Sequence, residues 1–362
     1  VLKKIILVQL CISLHNFIFC QEHQDSTAGR RHLLVVPIIS RSIETSWSFG
    51  VAGSSTFHIS RKDTMARTSN LQVLANYSVR KQFLVAADGT SYFPGEKYIL
   101  SEHISYSYFP DKFWGLGPET ADSNEENYKF KQFYIYLHGR MHLHGRVFLG
   151  LLYEFQKVMD FDYKAGGFFD KDDIPGRSGY FISGLGLSLS FDNRNHAFIP
   201  TRGGVVELAF NHFDPVIGSS YRYTNFSVDA RKFWRIYHRQ VLAAQFYGFF
   251  NSGDVPIRSL ASLGGSNSMR GYYEGRYTDK NEMALQAEYR MPVYRRWGAV
   301  IFSSMGDVAH RLADFHIFDM KFSYGGGLRF AVNRKEKMNV RFDYGFGRGR
   351  SSGYYLQFSE AF

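Results

Sequence analysis

Gly264-Gly265-Ser266-Asn267-Ser268-Met269-Arg270-Gly271-Tyr272-Tyr273-Glu274-Gly275-Arg276-Tyr277 interrupts a chain that otherwise alternates apolar and polar residues. The stretch lies within residues 252–281, between two strand-like runs, 241–250 and 283–293. A connection of that length without a helix or strand pattern of its own is uncommon and usually functional. Its glycines permit turns that side chains resist, and they frame Arg270, which Tyr272 and Tyr273 follow. A plain surface loop is the competing reading.

The flanking runs indicate what the loop is attached to. In 338–346, Met338, Val340, Phe342, Tyr344 and Phe346 form one face, and Asn339, Arg341, Asp343 and Gly345 the other. In 283–293, Leu285, Ala287, Tyr289 and Met291 stand opposite Gln286, Glu288 and Arg290. Residues 322–332 repeat the pattern with Arg329 on the small-residue face, and 185–191 set Gly and Ser against apolar residues. Period two means half-buried strands. From His32 onward there are about sixteen such segments, near the ten-residue length of a tilted membrane strand.

Composition agrees with strands in a membrane. The chain of 362 residues carries 34 Phe and 24 Tyr, more aromatic surface than a soluble core needs. Mean hydropathy is nevertheless −0.26, because charged residues interleave with apolar ones. After residue 20 no apolar run reaches the length of a membrane helix. The first twenty residues read as a secretory signal peptide, with Lys3 and Lys4 ahead of the apolar run 5–10. Both cysteines, Cys11 and Cys20, fall in that segment, so the expected mature chain has neither disulfide nor thiol chemistry. A formal charge of +10 raises the question of nucleic acid. The basic residues are scattered through turns such as Arg295–Arg296, which fits a basic lumen beside anionic lipid and no nucleic-acid partner.

Loop lengths separate a barrel from a soluble sandwich. The connections after the fifth, seventh, eleventh and thirteenth strands are long, at 109–127, 160–177, 252–281 and 310–320. All follow odd strands and so share one side, whereas connections after even strands are mostly short, as at 294–297. Long outer loops and short inner turns are the outer-membrane pattern. The expected fold is all-β: a transmembrane antiparallel up-and-down β-barrel of about 16 strands with a long, inward-folded sixth outer loop. The expected division is a signal peptide at 1–20, a short segment at 21–31 and the barrel at 32–362.

The Met269-Arg270-Gly271-Tyr272 core resembles the arginine-glycine-aromatic signature of the BamA/TamA-type outer-membrane assembly-factor superfamily, also known as bacterial surface antigens. The connection 192–204 resembles that family's turn between strands eight and nine. Gly353, Leu356 and Phe358, with the terminal Phe362, fit the signal by which barrel-insertion machinery recognises its clients. The resemblance implies that the sixth loop folds into the barrel and that its arginine docks on the inner wall. Strand parity offers Glu288 as the carboxylate partner, a match for a guanidinium fork. The family adds an aspartate in a Phe-x-Asp-x-Gly strand pattern. Here Phe302-Ser303-Ser304-Met305-Gly306 puts Ser304 in that place, and Asp343 on a nearby strand is the candidate substitute. Polar filling of a wet lumen is the alternative for these pairs. Pro37 removes a ladder donor from the first strand, which suits either a weak seam with the last strand or simple termination at the rim.

The family's assembly factors carry periplasmic POTRA domains ahead of the barrel, for which residues 21–31 leave no room. The expected function is therefore that of a stand-alone barrel in protein or lipid insertion or translocation, with outer-membrane lipid and separate periplasmic proteins as partners. Expected substrates are unfolded proteins or lipid, and the expected location is the outer membrane of a Gram-negative bacterium. A solute pore or a lipid-modifying enzyme are the alternatives. No catalytic residue, cofactor or metal site is expected: His138, His142 and His144 have mixed spacing across a strand end, and nothing in the sequence couples any serine to a histidine.

Overall fold

In the computed structural model, residues 32–60, 68–171, 174–196, 199–333, 338–358 and 360–362 are described. The expected signal peptide and the segment before His32 lie outside them. The strands are β1 (His32–Ser42), β2 (Ser46–Phe57), β3 (Ser69–Ser78), β4 (Phe83–Tyr92), β5 (Tyr98–Phe113) and β6 (Glu126–His144). Then come β7 (Val147–Tyr163), β8 (Tyr180–Asp192), β9 (Gly203–Phe213), β10 (Tyr223–Arg235) and β11 (Val241–Gly253). The short pair β12 (Ala261–Leu263) and β13 (Tyr277–Asp279) precedes β14 (Asn281–Tyr294), β15 (Trp297–Ala309), β16 (Lys321–Asn333), β17 (Met338–Phe346) and β18 (Ser352–Phe358).

Sixteen of these strands close into one antiparallel barrel, with β11 pairing β14 and β1 meeting β18. The remaining pair, β12 and β13, forms a two-stranded ribbon inside the sixth outer loop. Away from the β1–β18 junction each strand is paired on both sides, the condition for strands to cross lipid with their backbone groups satisfied. The seam is the exception to regular pairing. Among the described residues β1 and β18 share the single position Arg41↔Leu356, whereas β17 and β18 are in register from Val340↔Phe358 to Phe346↔Ser352. Pro37 lies on β1 opposite Val51 of β2, in a stretch that has no ladder partner on the β18 side among the described residues.

Alternation sorts side chains between lipid and lumen. Leu285 and Phe342 are 48% and 46% exposed on the outer surface, while Glu288 and Asp343, one strand face away, are buried. The outer half of the lumen is filled by an apolar cluster. Phe113, Tyr128, Phe130 and Phe213 of the wall meet Phe169 and Ile174 from the fourth outer loop and Val255 and Ile257 from the sixth. The inner turn 193–202 is pinned by its own polar groups: Arg194 pairs Asp192 at 2.7 Å, and Asn195 Oδ1 accepts from the amides of Thr201 and Arg202.

Beyond Phe358 the chain turns inward. Sequence reading places Phe362 at a strand end, but it is buried in the lumen against Phe233, Val241 and Ala243. The reason is charge: Glu360 Oε2 accepts from Arg329 Nε at 2.7 Å and the Phe362 carbonyl accepts from Arg290 at 2.9 Å, which draws the segment across the wall.

Phe342→Arg at the lipid face should cost roughly 2–4 kcal/mol. Ser227→Ala on the lumen face should stay within about 1 kcal/mol. Urea unfolding in detergent micelles measures both, and equal losses would overturn the face assignment.

Candidate functional site

The sixth outer loop crosses the lumen and is fixed at both ends of its span. Arg270, fully buried, donates from Nη2 to Glu288 Oε1 at 2.5 Å and from Nη1 to Asp343 Oδ2 at 2.7 Å. Its guanidinium carbon lies 3.6 Å from the centroid of the Phe302 ring, a cation–π stack in a desolvated setting. Glu288 also accepts from Arg290 Nε at 2.8 Å. Asp343 also accepts from Arg329 at 2.5 Å and Arg341 at 3.1 Å. Arg341 turns its other amino group to the loop itself, donating to the Ser266 carbonyl at 3.0 Å and Asn267 Oδ1 at 2.9 Å.

Small residues make this approach possible. An added Cβ on Gly327 would sit 2.0 Å from the Asp343 carboxylate, and one on Gly345 would sit 2.6 Å from the Arg270 carbonyl. Gly271 adopts φ +111° against the backbone of Phe346, a conformation suited to glycine. Its N–H donates to Tyr355 Oη at 2.9 Å. Tyr272 donates its hydroxyl proton to the Phe322 carbonyl at 3.0 Å. Met269, Tyr272 and Tyr277 pack with Leu263, Ala284 and Val308 in one buried cluster.

The opposite wall holds the rest of the loop. Tyr273 donates to Asp111 Oδ1 at 3.0 Å, and Arg258 donates to Asp111 Oδ2 at 3.0 Å and to Tyr128 Oη at 2.9 Å. Arg276 reaches Asp122 at 2.6 Å and Thr120 Oγ1 at 2.7 Å in the third outer loop. The Glu274 amide donates to Glu44 Oε1 at 2.9 Å in the turn between β1 and β2. Gly271 therefore holds β18 while Glu274 holds the turn after β1, so the loop bridges the flanks of the seam. Arg41 of β1 adds a contact across it, 4.0 Å from the Tyr354 ring centroid.

Against the residues singled out in sequence, the structure brings Met269, Arg270, Gly271, Tyr272, Glu288 and Asp343 together. Ser304 is a correction: it is buried on the lumen face, but among the described residues its Oγ has no hydrogen-bond partner and it does not bond Arg270. The family's aspartate position is left to a short hydroxyl, while Phe302, two residues earlier on the same face, meets the guanidinium. Sequence reading missed Phe302, Arg258 with Asp111, and Arg276 with Asp122. The Phe302 signal was within reach, since it opens the same five-residue pattern. Gly353, Leu356 and Phe358 lie along β18, where Leu356 makes the seam pair.

A closed sixteen-stranded antiparallel barrel whose outer loop is locked in its lumen by an arginine has the architecture of an outer-membrane β-barrel. Residues 50–361 match the Omp85 superfamily domain, and the chain belongs to that superfamily. Sequence comparison with curated proteins finds no match. Among solved structures, BamA from Haemophilus ducreyi lacking POTRA domains 1–3 is similar, with 14% identity and a TM-score of 0.61 over 91% of this chain and 70% of that one. CdiB from Escherichia coli is similar with 14% identity and a TM-score of 0.60, over 90% of this chain and 62% of the other. CdiB from Acinetobacter baumannii gives 12% identity and a TM-score of 0.56, over 91% and 60%.

Arg270→Ala should destabilise the docked loop, at the lower end of the roughly 3–5 kcal/mol expected for a broken buried pair. Glu288 keeps Arg290 and Asp343 keeps Arg329 and Arg341, so neither carboxylate is stranded. Arg270→Lys should recover only part, because an ammonium lacks the planar fork. Limited proteolysis and amide exchange across 264–277 measure the docking, and unchanged protection in the alanine variant would refute the role of Arg270.

Burial, with the nearby Asp111 charge adding to it, raises the Glu44 carboxyl above its ordinary value of 4.5. The folded state therefore holds this proton more tightly than the unfolded chain. The stability it contributes is complete below about pH 4.5 and is lost as pH rises through the raised value. Glu44→Gln should match wild type at pH 4.5 and be at least as stable at neutral pH, in paired unfolding titrations. A parallel pH dependence in the two proteins would exclude this group as the source.

Proposed function

We propose that the chain works at the outer membrane in inserting or translocating protein or lipid, alone or with separate periplasmic partners, after export through a cleaved signal peptide. The observation that carries this reading is the seam. One paired position joins β1 to β18, while the neighbouring β17–β18 ladder runs seven positions. A wall that separates most readily at one known place can admit a strand or an acyl chain sideways. The site residues then divide the work: Arg270, Glu288 and Asp343 hold the loop, and Pro37, Arg41 and Leu356 define the seam.

The lumen argues against a solute pore, since the sixth loop spans it and the apolar cluster of Phe113, Phe130, Phe169 and Ile257 closes its outer half. The matched BamA and CdiB proteins are longer than this chain, so their full activities stand here as a proposal. The membrane-insertion reading itself requires lateral motion and no bond chemistry.

Arg41→Cys with Leu356→Cys should form a disulfide, because directly opposed antiparallel residues lie within disulfide reach. Cys11 and Cys20 are replaced by Ala in the same protein. Under oxidation the locked barrel should lose its ability to restore envelope integrity to cells lacking the native gene, and reductant should return it. Full function in the locked state would exclude lateral opening, and an open-pore conductance untouched by the lock would favour the solute pore.

A further inference from the structure

On the lumen side of β4 and β5, three residues that the sequence does not couple come into line. Asp88 and His103 are directly opposed across the β4–β5 ladder. Asp88 Oδ1 is 2.8 Å from His103 Nδ1, and His103 Nε2 is 3.0 Å from Ser105 Oγ. An ionised carboxylate can only accept, so Nδ1 carries the proton and Nε2 is left to accept from the Ser105 hydroxyl. All three residues are buried. His138 and Ser188 give an internal contrast: they approach at 2.7 Å with no acid oriented on the other ring nitrogen among their hydrogen bonds.

The line ends at a cavity. His103 and Ser105 face a space between this wall and the sixth loop, with Leu84, Phe109, Tyr128 and Ile257 as apolar walls and Glu274 and Gly275 over it. The cavity volume is about 100 Å³. Directly opposite Ser105 on β6 stands Tyr134, whose buried hydroxyl neighbours the Glu154 carboxyl. It lines the same cavity, and by turning from Glu154 its hydroxyl can donate to an oxygen that gains charge beside Ser105.

We infer that Ser105, His103 and Asp88 form a nucleophilic triad that cleaves small carboxylic esters in the lumen, with Tyr134 supporting the oxyanion. Ser105 Oγ bonds the ester carbonyl carbon as its proton passes to His103 Nε2. The carbon–oxygen bond to the leaving alcohol then breaks, and Nε2 returns the proton to that alcohol. A water repeats the sequence against the acyl-serine, which frees the acid and restores Ser105. Asp88 holds the ring in the required tautomer and stabilises its charged form. This chemistry is independent of the seam, so its failure leaves the insertion reading untouched.

The test uses the full barrel refolded in detergent micelles, with folding monitored by heat-modifiable migration. Wild type should hydrolyse p-nitrophenyl butyrate and take up one diisopropyl phosphoryl group from diisopropyl fluorophosphate, located on Ser105 by peptide mass. Ser105→Ala should lose both, His103→Ala and Asp88→Asn should each lower turnover roughly a thousandfold. Tyr134→Phe should lower kcat by about a hundredfold or more with little change in KM. His138→Ala should leave turnover unchanged. Ser105→Cys, with Cys11 and Cys20 replaced by Ala, reports access through its reaction with methyl methanethiosulfonate. Hydrolysis that persists in Ser105→Ala overturns the proposal. So does a folded wild-type barrel with neither turnover nor adduct, whether Ser105→Cys reacts, which marks a purely structural hydrogen-bond line, or fails to react, which marks a closed cavity.

Discussion

The buried guanidinium of Arg270 sets the terms for the inner wall around it. A cation withdrawn from water needs both opposite charge and filled hydrogen-bond directions, since the cost of desolvation is several kcal/mol per ion. Arg270, Arg290, Arg329 and Arg341 meet Glu288, Asp343 and Glu360, so positive groups outnumber negative ones. Further bonds from these arginines go to the main-chain oxygens of Ser266, Leu328 and Phe362 and to the Asn267 side chain. Two of those acceptors belong to the sixth loop, and one to the tail after β18. The need to satisfy the arginines therefore orders segments that no strand ladder holds.

Space is the second half of the same constraint. Loop backbone and wall backbone meet closely only where side chains are missing, and Gly345 faces the Arg270 carbonyl while Gly347 faces the Tyr272 ring. Gly327 leaves the volume in which the Asp343 carboxylate meets Arg329. The glycines on the lumen faces of β16 and β17 thus serve packing of the loop, which also explains why those faces carry charge and glycine together.

How much of this was legible in sequence depends on the range over which residues interact. Alternation is local, so Glu288 and Asp343 could be placed on the lumen face from their own strands. The loop's partner on the near wall followed, because few carboxylates share that face. Ser304 failed as a partner because a motif position specifies where a side chain points and not whether a hydroxyl reaches a guanidinium; the larger Phe302 ring fills the distance. The far-wall contacts of Tyr273 and Arg276 with Asp111 and Asp122 span more than 150 residues and carry no period. The Asp88–His103–Ser105 line is hidden for another reason. His103 and Ser105 share a strand face by parity, but Asp88 joins them only through the β4–β5 register, which the turn between those strands sets.

The seam gains its meaning from the loop. Among the described residues, ladder pairing joins β1 and β18 at one position, a weak point in a wall whose other neighbouring strands pair at seven positions or more. What closes the outer part of that joint is side-chain and loop chemistry. Gly271 donates to Tyr355 on one flank, Glu274 donates to Glu44 on the other, and Arg41 lies over the Tyr354 ring. Each of these contacts can be released without unpairing a ladder elsewhere, and two of them run through a loop anchored by Arg270 four residues or fewer away. The proposed lateral opening is then coupled to loop docking by geometry: freeing the loop removes the clasp across the seam, while the disposition of charge that holds the loop keeps the remaining wall intact.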